Sequence, residues 1–368
     1  MAATRIDINP FLELAKQHPV LDVRSPGEYQ HAHIPIARSM PLFTDEERKV
    51  VGTTYKQQSR EAAIKIGLDY FGPKMRKMVE EVEAILADHA AKTNNNISLA
   101  DNRTILVYCW RGGMRSGAVS WLLDLYGFKV YTLVGGYKKY RNHVLSSFEY
   151  PFRFHVLGGY TGSGKTELLH ALKQQGLPVV DLEGIARHKG SAFGSIGMPV
   201  QPTQEMFENL LSEALILQAG IKTDPPLQVP VWLEDESQRI GHVNLPGMIW
   251  KTMRQSPVFF LDIPFEERLK HITEEYGQLD RSKMIDAIGR IKEKLGGLNA
   301  KTAIQLLEEG NTLESFRILL KYYDKYYWKG LHNREGINSL LHTVDCKSVT
   351  AENAIPLLQY SGSKPEIH

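Results

Sequence analysis

The stretch that most restricts this chain is Gly159-Tyr160-Thr161-Gly162-Ser163-Gly164-Lys165-Thr166, which stands between an apolar run at residues 152–157 and a helical pattern that starts at Glu167. Glycines at these spacings let a loop wrap phosphate with backbone N–H groups, and the strand before it and helix after it aim those donors at one point. Lys165 adds a point charge, and the Thr166 hydroxyl can ligate Mg²⁺. A strand–loop–helix unit needs a sheet covered by helices, so residues 152–368 read as an α/β domain, helical past Phe265 in its C-terminal part. Gly159, Gly162, Ser163, Gly164, Lys165 and Thr166 are its diphosphate-binding set. Which diphosphate stays open: nucleotide is the default, yet such a loop reads phosphates and not bases.

A second chemical address lies upstream, in TILVYCWRGGMRS at residues 104–116. Ile105, Leu106 and Val107 form a short buried strand, and Ser116 to Val119 begin a helical pattern, so Cys109 sits at a strand-to-helix turn. Gly112 and Gly113 let the backbone fold tightly there. Inward N–H groups, the helix N-terminus, Arg111, Arg115 and Ser116 together offer an anion cradle around the sulfur. Such surroundings lower a thiol pKa, which makes Cys109 the candidate nucleophile and the loop an oxyanion site. Cys346 has no basic or glycine neighbours and reads as inert.

Two cysteines in 368 residues argue against a disulfide scaffold and for a reducing compartment. No apolar run approaches a membrane span or a secretory signal, so the expectation is a cytoplasmic protein with no membrane insertion. A net charge of +2 means that affinity for nucleic acid must come from local patches. Candidate patches are Lys56, Gln57, Gln58 and Arg60, the loop Arg187-His188-Lys189, and the stretch from Arg268 to Lys301, where eight Lys/Arg face five Asp/Glu. Each of these also reads as an ordinary solvated surface. The run Tyr322-Tyr323-Asp324-Lys325-Tyr326-Tyr327-Trp328 suits base stacking or plain core packing.

Residues 20–24 (VLDVR) read as a strand, with Asp22 and Arg24 at its end as a supporting ion pair. Met75, Met78, Val79, Val82, Ile85 and Leu86 fall at helical spacing, and that pattern dies in Lys92-Thr93-Asn94-Asn95-Asn96. Residues 117–126 read as a helix closed by Gly127, 128–134 as a strand, and 141–151 as a hinge between domains. Strands at 229–233 and 258–261 bring Glu234-Asp235-Glu236 and Asp262 toward the phosphate loop. Asp262 follows the more apolar run and is favoured as the Mg²⁺ ligand beside Thr166, with Glu234 on the substrate side. Asp181 and Arg187 lie after the strand Val179-Val180 as further substrate-side candidates.

Leu21-Asp22-Val23-Arg24-Ser25-Pro26-Gly27-Glu28-Tyr29, His33-Ile34-Pro35 and the Cys109 loop resemble the rhodanese superfamily, which implies a rhodanese-like parallel-sheet domain over residues 1–142. Cys109 and Arg115 stand one residue further apart than in sulfur-carrying rhodaneses. That wider loop resembles rhodanese-like phosphatases and arsenate reductases, although Tyr108 stands where those carry histidine. Fused to GGYTGSGKT, DLEGIARHKGSAFG and VWLEDES, and with VGTTYKQQSREAAIKIGL inserted before it, the domain resembles the bacterial tRNA 2-selenouridine synthase family; Ser59 stands where that insertion is expected to carry glycine. The resemblance implies replacement of sulfur by selenium in wobble 2-thiouridine of tRNA. Selenophosphate is the implied donor, S-geranyl-2-thiouridine formed from geranyl diphosphate the implied intermediate, and no tightly bound cofactor is expected. Two alternatives stay open: a sulfurtransferase fused to an ATP-dependent kinase, and a non-catalytic RNA-binding protein.

Overall fold

The computed structural model describes residues 3–93, 103–220 and 229–360 and divides the chain into two compact units, Met1–Ser146 and Ser147–His368. Residues 94–96 of the polar run expected to end a helix lie outside the described residues.

Unit 1 is an α/β domain. Its strands are β1 (Thr4–Ile6), β2 (Val20–Asp22), β3 (Arg38–Ser39), β4 (Thr104–Tyr108) and β5 (Lys129–Leu133), ordered β1-β5-β4-β2-β3 and parallel throughout. Every residue of β4 is buried, as a central parallel strand covered on both faces requires. The helix Met75–Thr93 lays Met78, Val79, Val82, Ile85 and Leu86 into the core beside Leu21, Ile105 and Val107, the face its periodicity predicts. The inserted segment folds as two helices, Asp45–Gln57 and Arg60–Phe71. Ser59 caps the second: its backbone is extended and its hydroxyl accepts the Ala62 N–H at 3.1 Å, a task that suits serine better than glycine. The helix Gly136–Ser147 runs through most of the segment expected to be a hinge, because Tyr137, Tyr140 and Val144 recur at helical spacing and are buried.

Unit 2 is built on β6 (Phe154–Gly159), β7 (Val231–Glu234), β10 (Val258–Asp262) and β11 (Leu341–Asp345), in the order β11-β10-β6-β7 and all parallel, with a small antiparallel ribbon of β8 (Arg239–Ile240) and β9 (Val243–Asn244). A bridge from Val179 to Trp232 extends the β7 edge. Strand β6 therefore lies between β7 and β10, and the phosphate loop opens at its carboxyl end, where open parallel sheets bind ligands. Past Phe265 come the helices Phe265–Tyr276, Arg281–Leu295, Gly297–Glu308 and Thr312–His332, which share a core of their own around Leu269, Ile288, Ala303, Phe316 and Leu320. The chain then returns to the sheet as β11, which the sequence pattern does not announce: LHTVD is short, largely part-exposed and preceded by helices. No helix among the described residues is long and apolar enough to cross a membrane.

Candidate functional site

In unit 1, Cys109 ends up buried directly after β4, at the start of the turn into the helix Met114–Leu125. Its Sγ lies 3.2 Å from the Ser116 Oγ and accepts the Gly113 N–H at 3.4 Å. Burial pushes the thiol pKa up, but the Ser116 hydroxyl and the backbone N–H groups of Ser116, Gly113 and Arg111 outweigh it, and the pKa falls below the ordinary value. Cys346 shows the opposite balance: burial, then Asp345 and Asp262, push its thiol up. Gly112 must be glycine. Its φ is +63°, and a Cβ there would stand 2.4 Å from the Leu133 carbonyl oxygen.

Two ion pairs hold this turn from below. Arg24 donates through Nε and Nη2 to Asp22 at 3.0 and 2.6 Å and to the Ala32 carbonyl at 2.6 Å, with both side chains almost wholly buried. The Tyr108 hydroxyl donates to the same Asp22 carboxylate at 2.7 Å and accepts the Ile34 N–H, so the tyrosine next to Cys109 is a buried tie and not a solvent-facing acid. Arg115, expected in the anion cradle, is held by Glu28 at 2.6 Å. Burial works to raise the Glu28 pKa, yet Arg115, the Ser25 N–H and Arg48 hold it down at about 2. Arg111 is exposed beside the turn.

In unit 2 the phosphate loop takes the shape its glycines predict. Gly159, Gly162 and Gly164 have φ of +155°, +80° and +67°, and a Cβ on Gly162 would meet the Arg268 carbonyl oxygen at 2.8 Å. Lys165 donates to the Gly159 carbonyl at 3.1 Å. Arg268, buried on the helix Phe265–Tyr276, ties the loop at the Thr161 carbonyl (3.0 Å) and forms a bidentate pair with Asp324 at 2.9 and 2.8 Å. The Ser163 hydroxyl is buried with no hydrogen-bond partner.

Around the loop stand more carboxylates than cations. Thr166 donates to Glu183 at 3.1 Å, and Glu234 accepts the Glu183 N–H at 2.6 Å while its other oxygen is buried without a partner. Burial raises Glu183 against the pull of Lys165; burial, then Asp181 and Glu183, push Glu234 well above the usual carboxylate range. Glu236 is pushed well up, first by burial and then by the neighbouring Glu183 carboxylate, against the pull of Lys165. Asp235 turns the other way, to Arg334 and to the Tyr327 hydroxyl at 2.8 Å, and that hydroxyl accepts the Gly159 N–H at 3.1 Å.

The loop opens on a cavity of about 950 Å³. Its polar end is residues 161–167 with Asp181, Glu183 and Glu236, and its other walls include Phe193, Tyr276, Phe316, Leu319, Tyr323 and Tyr326. Tyr322, Tyr323, Tyr326 and Tyr327 of the stripe at 322–327 all line the cavity. Tyr322 and Tyr323 also pack against the core of the C-terminal helices, as core packing predicts, while their place on the cavity wall is not readable from the stripe alone. Lys189 lines the cavity and is paired with Glu275, whereas Arg187 donates outward to the Val200 carbonyl at 3.2 Å and does not line it. Asp181 caps the helix Leu182–Ala186 through the Gly184 N–H. Asp262, at the end of β10, is exposed and is not a lining residue. Glu167, His271 and Glu275 bring ligand atoms within 4.8 Å of one another at the cavity, the one such cluster among the described residues.

A thiol in a rhodanese-type turn in one unit and a P-loop under an aromatic-walled cavity in the other define a two-domain protein, rhodanese-like domain first and P-loop domain second. Comparison with known families agrees: a rhodanese-like domain matches residues 9–143, and the AAA domain of tRNA 2-selenouridine synthase matches residues 152–351. The chain belongs to the tRNA 2-selenouridine synthase family. Relatives bearing that name include proteins of Bdellovibrio bacteriovorus (33% identical, covering 86% of this chain and 89% of the relative), Nitrosomonas europaea (33%, 85% and 88%) and Hydrogenovibrio crunogenus (34%, 85% and 89%).

Proposed function

We infer that the protein modifies tRNA, replacing sulfur by selenium in wobble 2-thiouridine, with geranyl diphosphate bound at the P-loop and selenophosphate at the Cys109 turn. The tRNA and the selenouridine product rest on the family. The observation that carries the geranyl step is the cavity itself, because a phosphate cradle that opens against Tyr276, Phe316, Leu319 and Tyr323 suits a diphosphate with a hydrocarbon tail.

The chemistry divides accordingly. Sulfur bound to a pyrimidine is a poor leaving group. In the first step it attacks C1 of geranyl diphosphate, the C1–O bond breaks, and the base loses its N3 proton. Diphosphate departs into the N–H groups of residues 162–166 and the Lys165 ammonium, which stabilise the charge that develops on it. Mg²⁺ would suit this place, where Thr166, Glu183 and Glu236 stand around the loop and would supply oxygens to hold it. When bound, the ion neutralises the diphosphate. In the second step the Cys109 turn holds the selenophosphate through its N–H groups and the thiolate attacks phosphorus, so that an S–P bond forms, the P–Se bond breaks and hydrogen selenide is released. The selenide attacks C2 of the base, forming the C–Se bond as the C–S bond breaks and geranylthiol leaves with the proton, and water cleaves the S–P bond to give phosphate and return the thiol.

The test is to incubate the protein with thiolated tRNA, geranyl diphosphate and selenophosphate and to analyse nucleosides by mass. S-geranyl-2-thiouridine followed by 2-selenouridine is expected, with tRNA affinity that weakens as salt rises. Turnover of ATP and thiosulfate with no change in the tRNA would instead support a sulfurtransferase fused to a kinase.

A further inference from the structure

Next to the thiol stands a group that the reaction above does not use. Trp110 follows Cys109 directly and is 38% exposed. It is not a loose surface residue. Its ring leans on the buried Tyr137 at 5.7 Å, Tyr137 stacks on Tyr108 at 6.3 Å, and the Arg24 guanidinium lies 4.0 Å from the Tyr137 ring. The backbone is pinned as well: the Cys109 carbonyl accepts the Tyr137 N–H at 2.8 Å and the Trp110 carbonyl accepts the Lys138 N–H at 3.0 Å. Gly136 makes that approach feasible, since a Cβ there would stand 2.2 Å from the Cys109 carbonyl oxygen. The indole is therefore held out from an ordered aromatic column, and little conformational entropy is lost when a ligand covers it.

The charges around it differ from those below it. Arg24 and Arg115 are tied to Asp22 and Glu28, whereas Arg111, Lys138 and Lys139 are exposed and none of them forms an ion pair among the described residues. The helix Gly136–Ser147, which starts at the turn, carries Lys138, Lys139 and Arg141 and no acid. An exposed indole close in sequence and fold to three exposed cations that form no ion pair among the described residues suits a polyanion that also offers flat π faces.

We propose that Trp110 is the stacking platform for a nucleobase of the RNA substrate beside Cys109, with Arg111, Lys138 and Lys139 contacting the flanking phosphates. This rests on the tRNA reading above and adds to it the surface that receives the base.

The test uses the full chain and two RNAs: an anticodon stem–loop with 2-thiouridine at its wobble position, and the same stem–loop with an abasic sugar there. The wild type should bind the first roughly tenfold more tightly, the order that one base–aromatic stack contributes. Trp110→Ala should bind both equally, and Trp110→Phe should restore most of the preference. A merely structural role would weaken both RNAs alike and leave the preference intact. As a readout that needs no alanine variant, fluorescence quenched by the stem–loop in the wild type should be largely lost in Trp110→Phe, since the other four tryptophans remain. If Trp110→Ala keeps the full preference, or the quenching survives in Trp110→Phe, while both proteins bind RNA in a salt-dependent way, tRNA stays the partner and Trp110 is not its platform. If the wild type binds neither RNA, the tRNA reading itself falls and takes this inference with it.

Discussion

The Cys109 turn and the P-loop both gather backbone N–H groups at the carboxyl end of a parallel strand, yet they treat charge in opposite ways. Beneath the Cys109 turn the ionic groups are satisfied within the fold: Arg24 with Asp22, Arg115 with Glu28, and Tyr108 with Asp22. At the P-loop, Glu183, Glu234 and Glu236 stand together with Lys165 as their main cation, and one Glu234 oxygen has no partner. Closed pairs position a nucleophile whose own charge is stabilised by N–H groups. Carboxyls crowded together in a buried place have their pKa values raised, and a cation or a ligand that brings positive charge relieves the crowding, which suits a site that handles a departing diphosphate.

This contrast can be broken, and the largest effect is expected from its most buried pair. Arg24→Ala leaves the Asp22 carboxylate buried without its partner and strips a cation from the Tyr137 ring, so it should cost about 3–5 kcal/mol in urea unfolding followed through unit 1. A loss near zero would mean that the pair is dispensable to the turn. On the other side, Lys165→Ala removes the point charge but leaves the loop glycines, and should slow S-geranylation roughly a hundredfold or more with tRNA affinity unchanged. Alkylation at the normal rate would assign the P-loop to another ligand.

A smaller effect tests the same idea by pH. The Glu28 pKa is about 2 in the fold against an ordinary 4.5, so the stability it adds is present above about pH 4.5 and is lost as pH falls toward 2. It should amount to on the order of 2 kcal/mol at neutral pH, and Glu28→Gln should both lose it and flatten the acid limb of the unfolding midpoint. An unchanged acid limb would show that Arg115 is free to face the turn.

Both loops were legible in the sequence because each is a local device: glycine positions, a strand before and a helix after. The core face of the helix Met75–Thr93 was legible for the same reason, since periodicity is local. What stayed hidden is long-range. Nothing in CWRGGMRS says that Arg115 is met by Glu28, 87 residues away, or that Tyr327 reaches the Gly159 N–H across 168 residues. The acids posed a related difficulty. Both β7 and β10 are apolar strands that end in carboxylates, and which end opens on the P-loop cavity depends on strand order and side-chain direction; Glu236 lines that cavity and Asp262 does not. Strand β11 was missed because its pairing with β10 follows some sixty residues of helix, and short part-exposed strands leave little periodicity to read.

The division of labour between the two sites is tested most directly by Cys109→Ala, given thiolated tRNA, geranyl diphosphate and selenophosphate, with nucleosides analysed by mass. Alkylation needs only the sulfur on the base and a bound diphosphate, so S-geranyl-2-thiouridine should accumulate while 2-selenouridine disappears. Selenouridine at the wild-type yield would remove the thiolate from the reaction, and loss of the geranylated product would mean that the two steps do not belong to separate sites.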